Sequence, residues 1–391
     1  MPIASDVYPM PHRPLRLCVF PGDAMKTFAV KGELKPRYYN PQDLFDEIHF
    51  MTFVEKDIEP EKVQLVAGRA KVFIHALGRL SVSAYLTKRQ AVLRAVHSIH
   101  PDVIRAYTPS LHGFFAAYAS RKLRIPYVMS LHGDFDRDTR YFFWKTGQYR
   151  KWLPSLAMKY FTERFAISSA DRVICAYSFL LPYARAYGAR DPVVIYNKVY
   201  AERFRKAKPA LKLDKPAIIC VGRMIPEKNQ ECLIRAMPGL SAYLILIGDG
   251  SEYPRLVSLA KSLGIEKQVL FFRSVPNVQI APYYKSATIF ALPIKYGGIA
   301  IPVIEAMAAG LPVVVARPEL DPNPEFASEA GLVINNTPKD FHDAIKRLLN
   351  DASLRRRLSA NGRRIFSRIE GRKMEQKEAG LYRDLLSKKG V

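Results

Sequence analysis

Short apolar runs alternate along this chain with longer segments in which apolar residues recur every three or four positions. The alternation is typical of βα units around parallel sheets, whose strands are covered on both faces and are therefore almost continuously apolar. In the first half it predicts helices over residues 81–97 and 111–123, and strands over residues 16–20, 47–53, 103–107, 127–131, 172–176 and 193–196. The pattern indicates the α/β fold class.

A basic, proline-containing stretch at residues 201–216 has little apolar periodicity, and the βα rhythm restarts after it. The second half is predicted to contain strands 217–221, 243–247, 269–272, 288–292 and 312–316, helices 229–237, 253–263 and 302–309, and a polar final helix near 372–387. We therefore expect two doubly wound, Rossmann-like domains, 1–200 and 217–371, joined by the linker 201–216 and facing one cleft. The C-terminal helix 372–391 follows the second domain, and it could pack back on the N-terminal domain.

Composition places the chain among globular proteins, because 49% of its 391 residues are hydrophobic and 25% are charged. Its 60 Lys and Arg against 36 Asp and Glu give a net charge of +24. Such an excess favours an anionic partner, which could be a phosphorylated substrate, an acidic membrane surface or nucleic acid. We find no nucleic-acid-binding motif, so we expect no nucleic-acid partner.

Cysteine usage and the lack of long apolar runs bear on cellular location. The four cysteines have no metal-ligand spacing, and three lie in strand-like apolar runs, so we expect reduced core residues. The first residues lack the apolar stretch of a signal peptide, and no run approaches the length of a membrane span. These features predict a cytoplasmic protein, soluble or bound peripherally to the inner face of the membrane.

The segment IKYGGIAIPVIEAMAAGLPVVVA, residues 294–316, carries the most chemical information. Gly297 and Gly298 let the backbone approach a ligand closely, and Pro302 suits the first turn of a helix. A helix N-terminus offers unpaired N–H groups and partial positive charge to a phosphate. Glu305, in the predicted first turn, could accept both hydroxyls of a ribose or simply interact with the helix dipole, and the pattern leaves both interpretations open.

Three motifs of the second half together resemble those of one family. They are VGRMIPEK with Gly222, Arg223, Glu227 and Lys228, IGDG at residues 247–250, and IEAMAAGLPVV. In this combination the chain resembles the retaining, nucleotide-sugar-dependent glycosyltransferases of glycosyltransferase family 4, which have the two-domain GT-B fold. The resemblance covers about the whole C-terminal domain. It implies a UDP- or GDP-sugar as donor substrate, with no other cofactor and no metal ion.

Gly297 departs from the family pattern, which usually has two glutamates separated by seven residues. Glu305 is the second of them here, and Gly297 stands at the position of the first. In the family that first carboxylate contacts hydroxyls of the donor sugar, so the departure affects the sugar site and not the nucleotide site. The resemblance places these residues against the donor: Gly297, Gly298, Ile299, Ala300 and Ile301.

Arg223 and Lys228 are the candidates for neutralising the donor diphosphate. Cleavage of a sugar–phosphate bond develops negative charge on the leaving group, which nearby cations stabilise. Both residues follow a predicted strand at its ligand-binding end, where a guanidinium with an ammonium is a common phosphate clamp. We interpret them as catalytic rather than as two more surface cations, and Gly222 as part of the same phosphate-binding turn.

In the N-terminal domain, which matches the family more loosely, His132 is the strongest candidate. It follows the predicted strand 127–131 and resembles the family's histidine that approaches the donor sugar and phosphate, although a lone histidine is more often structural. By resemblance, Gly22, Ser178 and Asn197 also fall at donor-binding positions.

Two further patterns have competing interpretations. Asp134 and Asp136 form a D-x-D pair that invites a metal site, which we set aside because a third ligand is missing; Asp134 could instead orient an acceptor hydroxyl. Residues 137–165 interleave aromatic and basic side chains and contain both tryptophans. They suit either an anionic membrane surface or a partly buried helix pair with a solvated charged side, and the sequence favours neither.

The sequence therefore predicts a retaining glycosyltransferase that moves a sugar from a nucleotide-sugar to a glycan or lipid-linked acceptor in surface polysaccharide or glycolipid synthesis. The alternative is a catalytically degenerate scaffold of the same fold that binds nucleotide or membrane, its catalysis lost with the first glutamate. An epimerase of this fold would need extra carboxylates in the cleft, which we do not identify.

Overall fold

Two parallel β-sheets form the framework of residues 13–80, 84–295, 301–317 and 325–388, which the computed structural model describes. The first sheet contains β1 (Arg16–Phe20), β2 (Glu47–Thr52), β3 (Lys71–Ala76), β4 (Val103–Ala106), β5 (Tyr127–Leu131), β6 (Arg172–Cys175) and β7 (Pro192–Val194). The second contains β8 (Ala217–Val221), β9 (Tyr243–Ile247), β10 (Val269–Phe272), β11 (Ile289–Leu292), β12 (Val313–Ala316) and β13 (Gly331–Ile334). We call β1–β7 with the helices between them the first lobe, and β8–β13 with their helices the second lobe.

Helices connect the strands of each sheet. Those of the first lobe are α1 (Met25–Val30), α2 (Ala84–Thr87), α3 (Arg89–Ile99), α4 (Leu111–Leu123), α5 (Tyr141–Lys145), α6 (Tyr149–Met158), α7 (Arg164–Ser168) and α8 (Leu181–Ala186). After α9 (Ala201–Lys206), the second lobe has α10 (Gln230–Ala236), α11 (Tyr253–Ser262), α12 (Ala281–Lys285), α13 (Ile301–Ala309), α14 (Ala327–Ala330), α15 (Pro338–Asn350) and α16 (Ala352–Ile369), and α17 (Gly371–Ser387) follows it. Among the described helices, none combines the length and the apolar character that a membrane crossing requires.

The two sheets share one strand order, except that the first has a seventh strand at its edge. It is β3-β2-β1-β4-β5-β6-β7 in the first lobe and β10-β9-β8-β11-β12-β13 in the second, with parallel pairing throughout. The order reverses between β1 and β4 and again between β8 and β11, and doubly wound sheets bind ligands outside the carboxyl ends of their strands at such points. The predicted fold class, α/β with two doubly wound Rossmann-like sheets, is confirmed.

The central strands are buried on both faces, which is why their apolar runs predicted them well. In β1, every residue from Leu17 to Phe20 has no exposed surface, with β2 on one side and β4 on the other. The predicted bounds of β1, β5, β8, β9, β10 and α4 agree with the structure residue for residue. All four cysteines are buried with free thiols, as expected from their apolar surroundings.

The structure has several elements that the sequence analysis does not predict, among them β3, β13, α15 and α16. The two strands form edges of their sheets, and their partly exposed residues give no long apolar run. The two helices do bury apolar residues at helical spacing, including Phe341 and Ile345, so that signal was present in the sequence. The predicted helix 81–97 is divided at Lys88 into α2 and α3, and residues 81–83 lie outside the described residues.

The connections between the lobes are more ordered than the composition of residues 201–216 suggests. Their first six residues form α9, whose Phe204 is buried with its ring centroid 5.8 Å from that of Tyr284. Further along, α17 lies against the first lobe, where Tyr382 packs edge-on against Phe45 at 5.1 Å. The last helix of the chain therefore belongs to the core of the first lobe.

Candidate functional site

A cleft of about 780 Å³ lies between the carboxyl ends of the two sheets, a volume typical of small-molecule sites. Its lining includes Pro21 after β1, Tyr107 after β4, His132 after β5, Gly222 and Arg223 after β8, and Ile301, Pro302 and Glu305 from α13. The cleft thus lies at the two points where strand order reverses, which is where this fold binds ligands.

The turn after β8 is shaped by close backbone contact with the turn after β9. The Met224 N–H donates to the Asp249 carbonyl at 2.8 Å, and the Gly222 N–H donates to the Ile247 carbonyl at 2.9 Å. Gly248 has φ +143°, and a Cβ there would lie 2.1 Å from the Gly222 carbonyl oxygen. The IGDG motif therefore supports the Gly222–Arg223 turn through the absence of a side chain.

Arg223 and Lys228 lie close enough for their charges to interact. The Arg223 side chain is exposed in the cleft, while Lys228 is partly buried in a short 3₁₀ turn. Burial and the charge of Arg223 together lower the pKa of Lys228. Neither cationic group has a hydrogen bond or an ion pair with another described residue, so both remain available to an anion.

Glu305 has a buried carboxylate that faces the cleft. The side chain is held by the Tyr284 hydroxyl, which donates to Oε2 at 2.9 Å, and by the Asn277 amide, which donates to Oε1 at 3.3 Å. A carboxylate has about four acceptor sites, so two bonds leave capacity for two hydroxyl groups. Because α13 begins at Ile301, Glu305 lies in the second turn and not in the first turn as the sequence analysis predicts.

Five consecutive residues, 297–301, are further donor-binding candidates of the second lobe. Gly297, Gly298, Ile299 and Ala300 lie outside the described residues. Ile301 is the first residue of α13 and lines the cleft.

His132 enters the cleft from the first lobe. Its ring lies stacked on that of Tyr107, with centroids 5.6 Å apart and planes 21° from parallel. The ring is accessible to solvent, yet the cleft walls disfavour its charged form, and with Arg105 and Lys35 they lower its pKa to about 4. His132 is therefore a neutral imidazole near pH 7.

The remaining predicted residues of the first lobe lie around the cleft rather than along its wall. Gly22 has φ +88°, and a Cβ there would lie 2.7 Å from Thr108 Cγ2, so the turn after β1 requires glycine. The Ser178 N–H donates to Glu325 of the second lobe at 3.0 Å. Asn197 is buried and donates to the Tyr177 hydroxyl at 3.1 Å.

The D-x-D carboxylates have protein partners. Asp134 accepts from the backbone N–H groups of Asp136 and Arg137 at 2.9 and 3.1 Å, which caps the next helical turn. Asp136 accepts from Arg140, Lys159 and Tyr187. Within the described residues, no group of three or more His, Cys, Asp or Glu side chains is arranged to hold a metal ion.

Several residues that line the cleft or support its wall were not found from the sequence. Lys35 of the first lobe lines the cleft, where burial lowers its pKa while the charge of Glu305 acts in the opposite direction. Tyr284 and Asn277 orient Glu305 from other elements of the second lobe. None of the three lies in a motif, and only the fold brings them to the site.

Two family models match adjacent parts of the chain. The Glycosyltransferase Family 4 model matches residues 45–203, and the Glycosyl transferases group 1 model matches residues 202–365. The chain belongs to glycosyltransferase family 4. This family 4 protein also has the GT-B fold that the resemblance implied, with a parallel α/β sheet in each lobe.

Individual relatives of this family 4 protein match it over different lengths. The GDP-mannose-dependent alpha-(1-6)-phosphatidylinositol monomannoside mannosyltransferase of Mycolicibacterium smegmatis is 32% identical over 38% of this chain. The match spans 42% of that relative's length. Sulfoquinovosyl transferase SQD2 of Arabidopsis thaliana is 26% identical over 86% of this chain and 66% of its own length.

The crystal structure of Anabaena Alr3699/HepE in complex with UDP has the same fold. It aligns with a TM-score of 0.71 over 95% of this chain and 100% of that chain, at 18% sequence identity. At this identity the likeness supports the fold alone.

Proposed function

We propose that this protein is a retaining, metal-independent glycosyltransferase that moves a sugar from a nucleotide-sugar to a glycan or lipid-linked acceptor. The observation that carries the proposal is one cleft with three groups on its walls: the Arg223 guanidinium, which has no partner in the described part of the chain, the buried Glu305 carboxylate and the neutral His132 imidazole. The site favours a ligand with a diphosphate, a ribose and a sugar. We assign residues 1–200 to an acceptor-binding domain and residues 217–371 to a donor-binding domain.

The second lobe is proposed to hold the nucleoside diphosphate. Arg223 and Lys228 lack carboxylate partners among the described residues, so they can bind the diphosphate and stabilise the charge that develops as it leaves. Gly222 keeps the backbone of this turn open to the ligand, since a Cβ there would meet no atom within 4 Å. Glu305 accepts from the ribose hydroxyls with the capacity left by Tyr284 and Asn277.

The first lobe is proposed to position the sugar and the acceptor. Neutral His132 can donate from one ring nitrogen and accept at the other, which suits hydroxyl groups of a sugar. In family 4 the acceptor is thought to attack from the face that the phosphate leaves, and the leaving phosphate oxygen takes the acceptor's proton. On that mechanism the described cleft needs neither a carboxylate nucleophile nor a general base.

The relatives suggest a range of substrates. The mycobacterial relative is named for GDP-mannose and a phosphatidylinositol glycolipid, while Anabaena Alr3699/HepE was solved with UDP. We therefore propose a UDP- or GDP-sugar as donor, with the acceptor belonging to surface polysaccharide or glycolipid synthesis. The corresponding location is the cytoplasm, at the inner face of an anionic membrane.

Donor binding and turnover can be tested with purified protein and a panel of nucleotide-sugars. Lys228→Ala should weaken binding of the matching nucleoside diphosphate in calorimetry by about 1.5–3 kcal/mol, the contribution of a charged hydrogen bond. Lys261→Ala is the matched control, because it removes an exposed lysine of the same lobe away from the cleft. Equal affinity of the Lys228 variant and the wild type would refute the assigned phosphate clamp.

Turnover distinguishes an enzyme from a scaffold. Release of free nucleotide should require both a nucleotide-sugar and an acceptor, and NMR of the product should give the anomeric configuration of the donor sugar. Nucleotide binding without turnover on any donor and acceptor pair would instead support the degenerate scaffold. Product of inverted configuration would rule out the retaining mechanism.

A further inference from the structure

A helical hairpin rich in aromatic residues follows the loop that carries His132. It comprises α5, a turn at Gly147, α6 and the π-helical turn after α6, and we call residues 141–162 the aromatic hairpin. Eight residues, 133–140, separate it from His132, and it contains both tryptophans of the chain, Trp144 and Trp152. The hairpin is therefore close in sequence to the wall of the cleft.

The base of the aromatic hairpin is fixed to the first lobe by a buried ion pair. Arg140, just before the hairpin, donates two hydrogen bonds to Glu163, just after it, at 2.8 and 2.7 Å. The Tyr183 hydroxyl donates to the same carboxylate at 2.9 Å. Because this two-bond ion pair is buried, it holds the two ends of the hairpin together. The outer surface of the hairpin therefore keeps one orientation relative to the first lobe.

The outer surface of the aromatic hairpin exposes large apolar side chains. The exposed fractions are 54% for Trp144, 56% for Tyr149, 62% for Leu153, 64% for Tyr160 and 74% for Phe161. These five are within 18 residues of one another, whereas the other exposed large hydrophobic residues of the described chain are spread over several elements. Such a concentration marks an interaction surface.

The charge of the aromatic hairpin has one sign. Residues 141–162 contain no Asp or Glu, while Lys145, Arg150, Lys151 and Lys159 are basic. Lys159 is paired with Asp136 at the base, and the other three side chains are exposed. Exposed aromatic and aliphatic groups beside basic side chains, on a segment that contains no acidic residue, are the combination that binds the interface of an anionic bilayer.

We propose that the aromatic hairpin docks this protein on an anionic lipid bilayer, with Trp144, Leu153 and Phe161 entering the interface and Arg150 and Lys151 contacting lipid phosphates. The purpose of the docking rests on the proposed function, since a lipid-linked acceptor would reach His132 from the same surface. The docking itself needs neither donor nor acceptor.

A bilayer fits this surface better than a second copy of the chain does. Contact between two aromatic hairpins would bring the cations of both copies together without a carboxylate on either hairpin to neutralise them. An anionic bilayer supplies negative charge over its whole surface and an apolar layer beneath it.

Vesicle binding without any nucleotide or acceptor tests the proposal. The full chain should co-sediment with vesicles of phosphatidylcholine and phosphatidylglycerol, and less with phosphatidylcholine alone, and binding should weaken as salt rises. Because both tryptophans lie in the hairpin, their emission should shift to the blue on binding, and brominated lipids should quench it.

Two pairs of variants separate the apolar and the charged contributions. Leu153→Ser with Phe161→Ser should weaken vesicle binding by at least about tenfold, while Val257→Ser, an exposed apolar residue of the second lobe, should not change it. Arg150→Gln with Lys151→Gln should weaken it by about 25-fold, from roughly fivefold for each cation. Arg356→Gln with Arg357→Gln removes the same charge from the second lobe and should have a much smaller effect.

Unchanged binding in both hairpin variants, equal binding to neutral and anionic vesicles, or an unshifted tryptophan emission would each overturn the proposal. Concentration-dependent dimerisation without lipid, lost in the Leu153 and Phe161 variant, would assign the surface to a second copy instead. Nucleoside diphosphate affinity of the hairpin variants should equal that of the wild type. That measurement keeps a failure of docking distinct from a failure of the proposed function.

Discussion

Replacing Glu378 with glutamine should destabilise the first lobe by about 3–5 kcal/mol. Glu378 lies on α17 and is only 2% exposed, in contact with Arg105 of β4 and with Lys198, whose Nζ lies 2.9 Å from Oε2. Removing the carboxylate charge leaves two buried cations without compensation, which costs several kcal/mol. The lower end of the range applies if the amide oxygen of glutamine still accepts one hydrogen bond.

The variant can be measured by urea unfolding near pH 7, followed by tryptophan emission. Both tryptophans lie in the first lobe, so the emission reports the lobe that Glu378 holds. The matched control is Glu202→Gln. Glu202 lies on α9 and forms an exposed ion pair with Arg372 of α17, so its replacement should barely change the midpoint of urea unfolding. A decrease of less than about 1 kcal/mol in the free energy of unfolding of Glu378→Gln would refute the reasoning. It would mean that Arg105 and Lys198 do not need the Glu378 carboxylate to compensate their charges.

The pH dependence gives a second check on the same pair. Burial opposes ionisation of Glu378, but Arg105 and Lys198 outweigh it and lower the pKa of the carboxyl below its usual value. A carboxyl with a lowered folded-state pKa contributes stability that is present above its unfolded pKa and is lost as pH falls through the folded pKa. The difference between the wild type and Glu378→Gln should therefore be constant from pH 6 to pH 8 and shrink only in acid.

Two other substitutions test the turn after β8 and the response to acid. Gly248→Ala should lower nucleoside diphosphate affinity by at least about tenfold in calorimetry, because its Cβ would meet the Gly222 carbonyl. The control is Gly264→Ala, at φ +68° with open space around the new Cβ, which should lower stability by only about 1 kcal/mol and leave the affinity unchanged. Burial lowers the pKa of His112 to about 4, so between pH 6.5 and 4 the unfolded state binds more protons and stability falls as pH falls. His112→Gln should reduce this loss, measured by urea unfolding at pH 7 and 4.5, by at most about 3 kcal/mol, less whatever solvent screening removes. Unchanged nucleoside diphosphate affinity of Gly248→Ala would contradict the argument about the turn. If the free energy of unfolding of His112→Gln fell between pH 7 and 4.5 as much as that of the wild type, the argument about His112 would be wrong.

The aromatic hairpin illustrates where sequence reasoning leaves a choice. Alternating aromatic and basic residues over 137–165 fit a buried helix pair and a membrane surface equally well, because periodicity does not say what covers a face. In the structure, Leu153 is 62% exposed and Phe161 is 74% exposed, and a buried ion pair between Arg140 and Glu163 joins the two ends of the hairpin. The exposed apolar face is a property of packing and not of the local pattern.

The sequence by itself determined the fold class, the central strands and the positions of Arg223 and His132 relative to strand ends. It could do so because burial on both faces produces continuous apolar runs, and because parallel strands present their carboxyl ends along one edge. The edge strands β3 and β13 have partly exposed residues, so this signal failed there.

Only the tertiary structure decided which distant residues meet. Arg105 and Glu378 are 273 positions apart, and Lys35 faces a cleft whose opposite wall carries Glu305. No local pattern encodes such pairs, because the approach of two lobes depends on the packing of whole sheets and helices. The partners that orient Glu305, Tyr284 and Asn277, come from separate elements for the same reason.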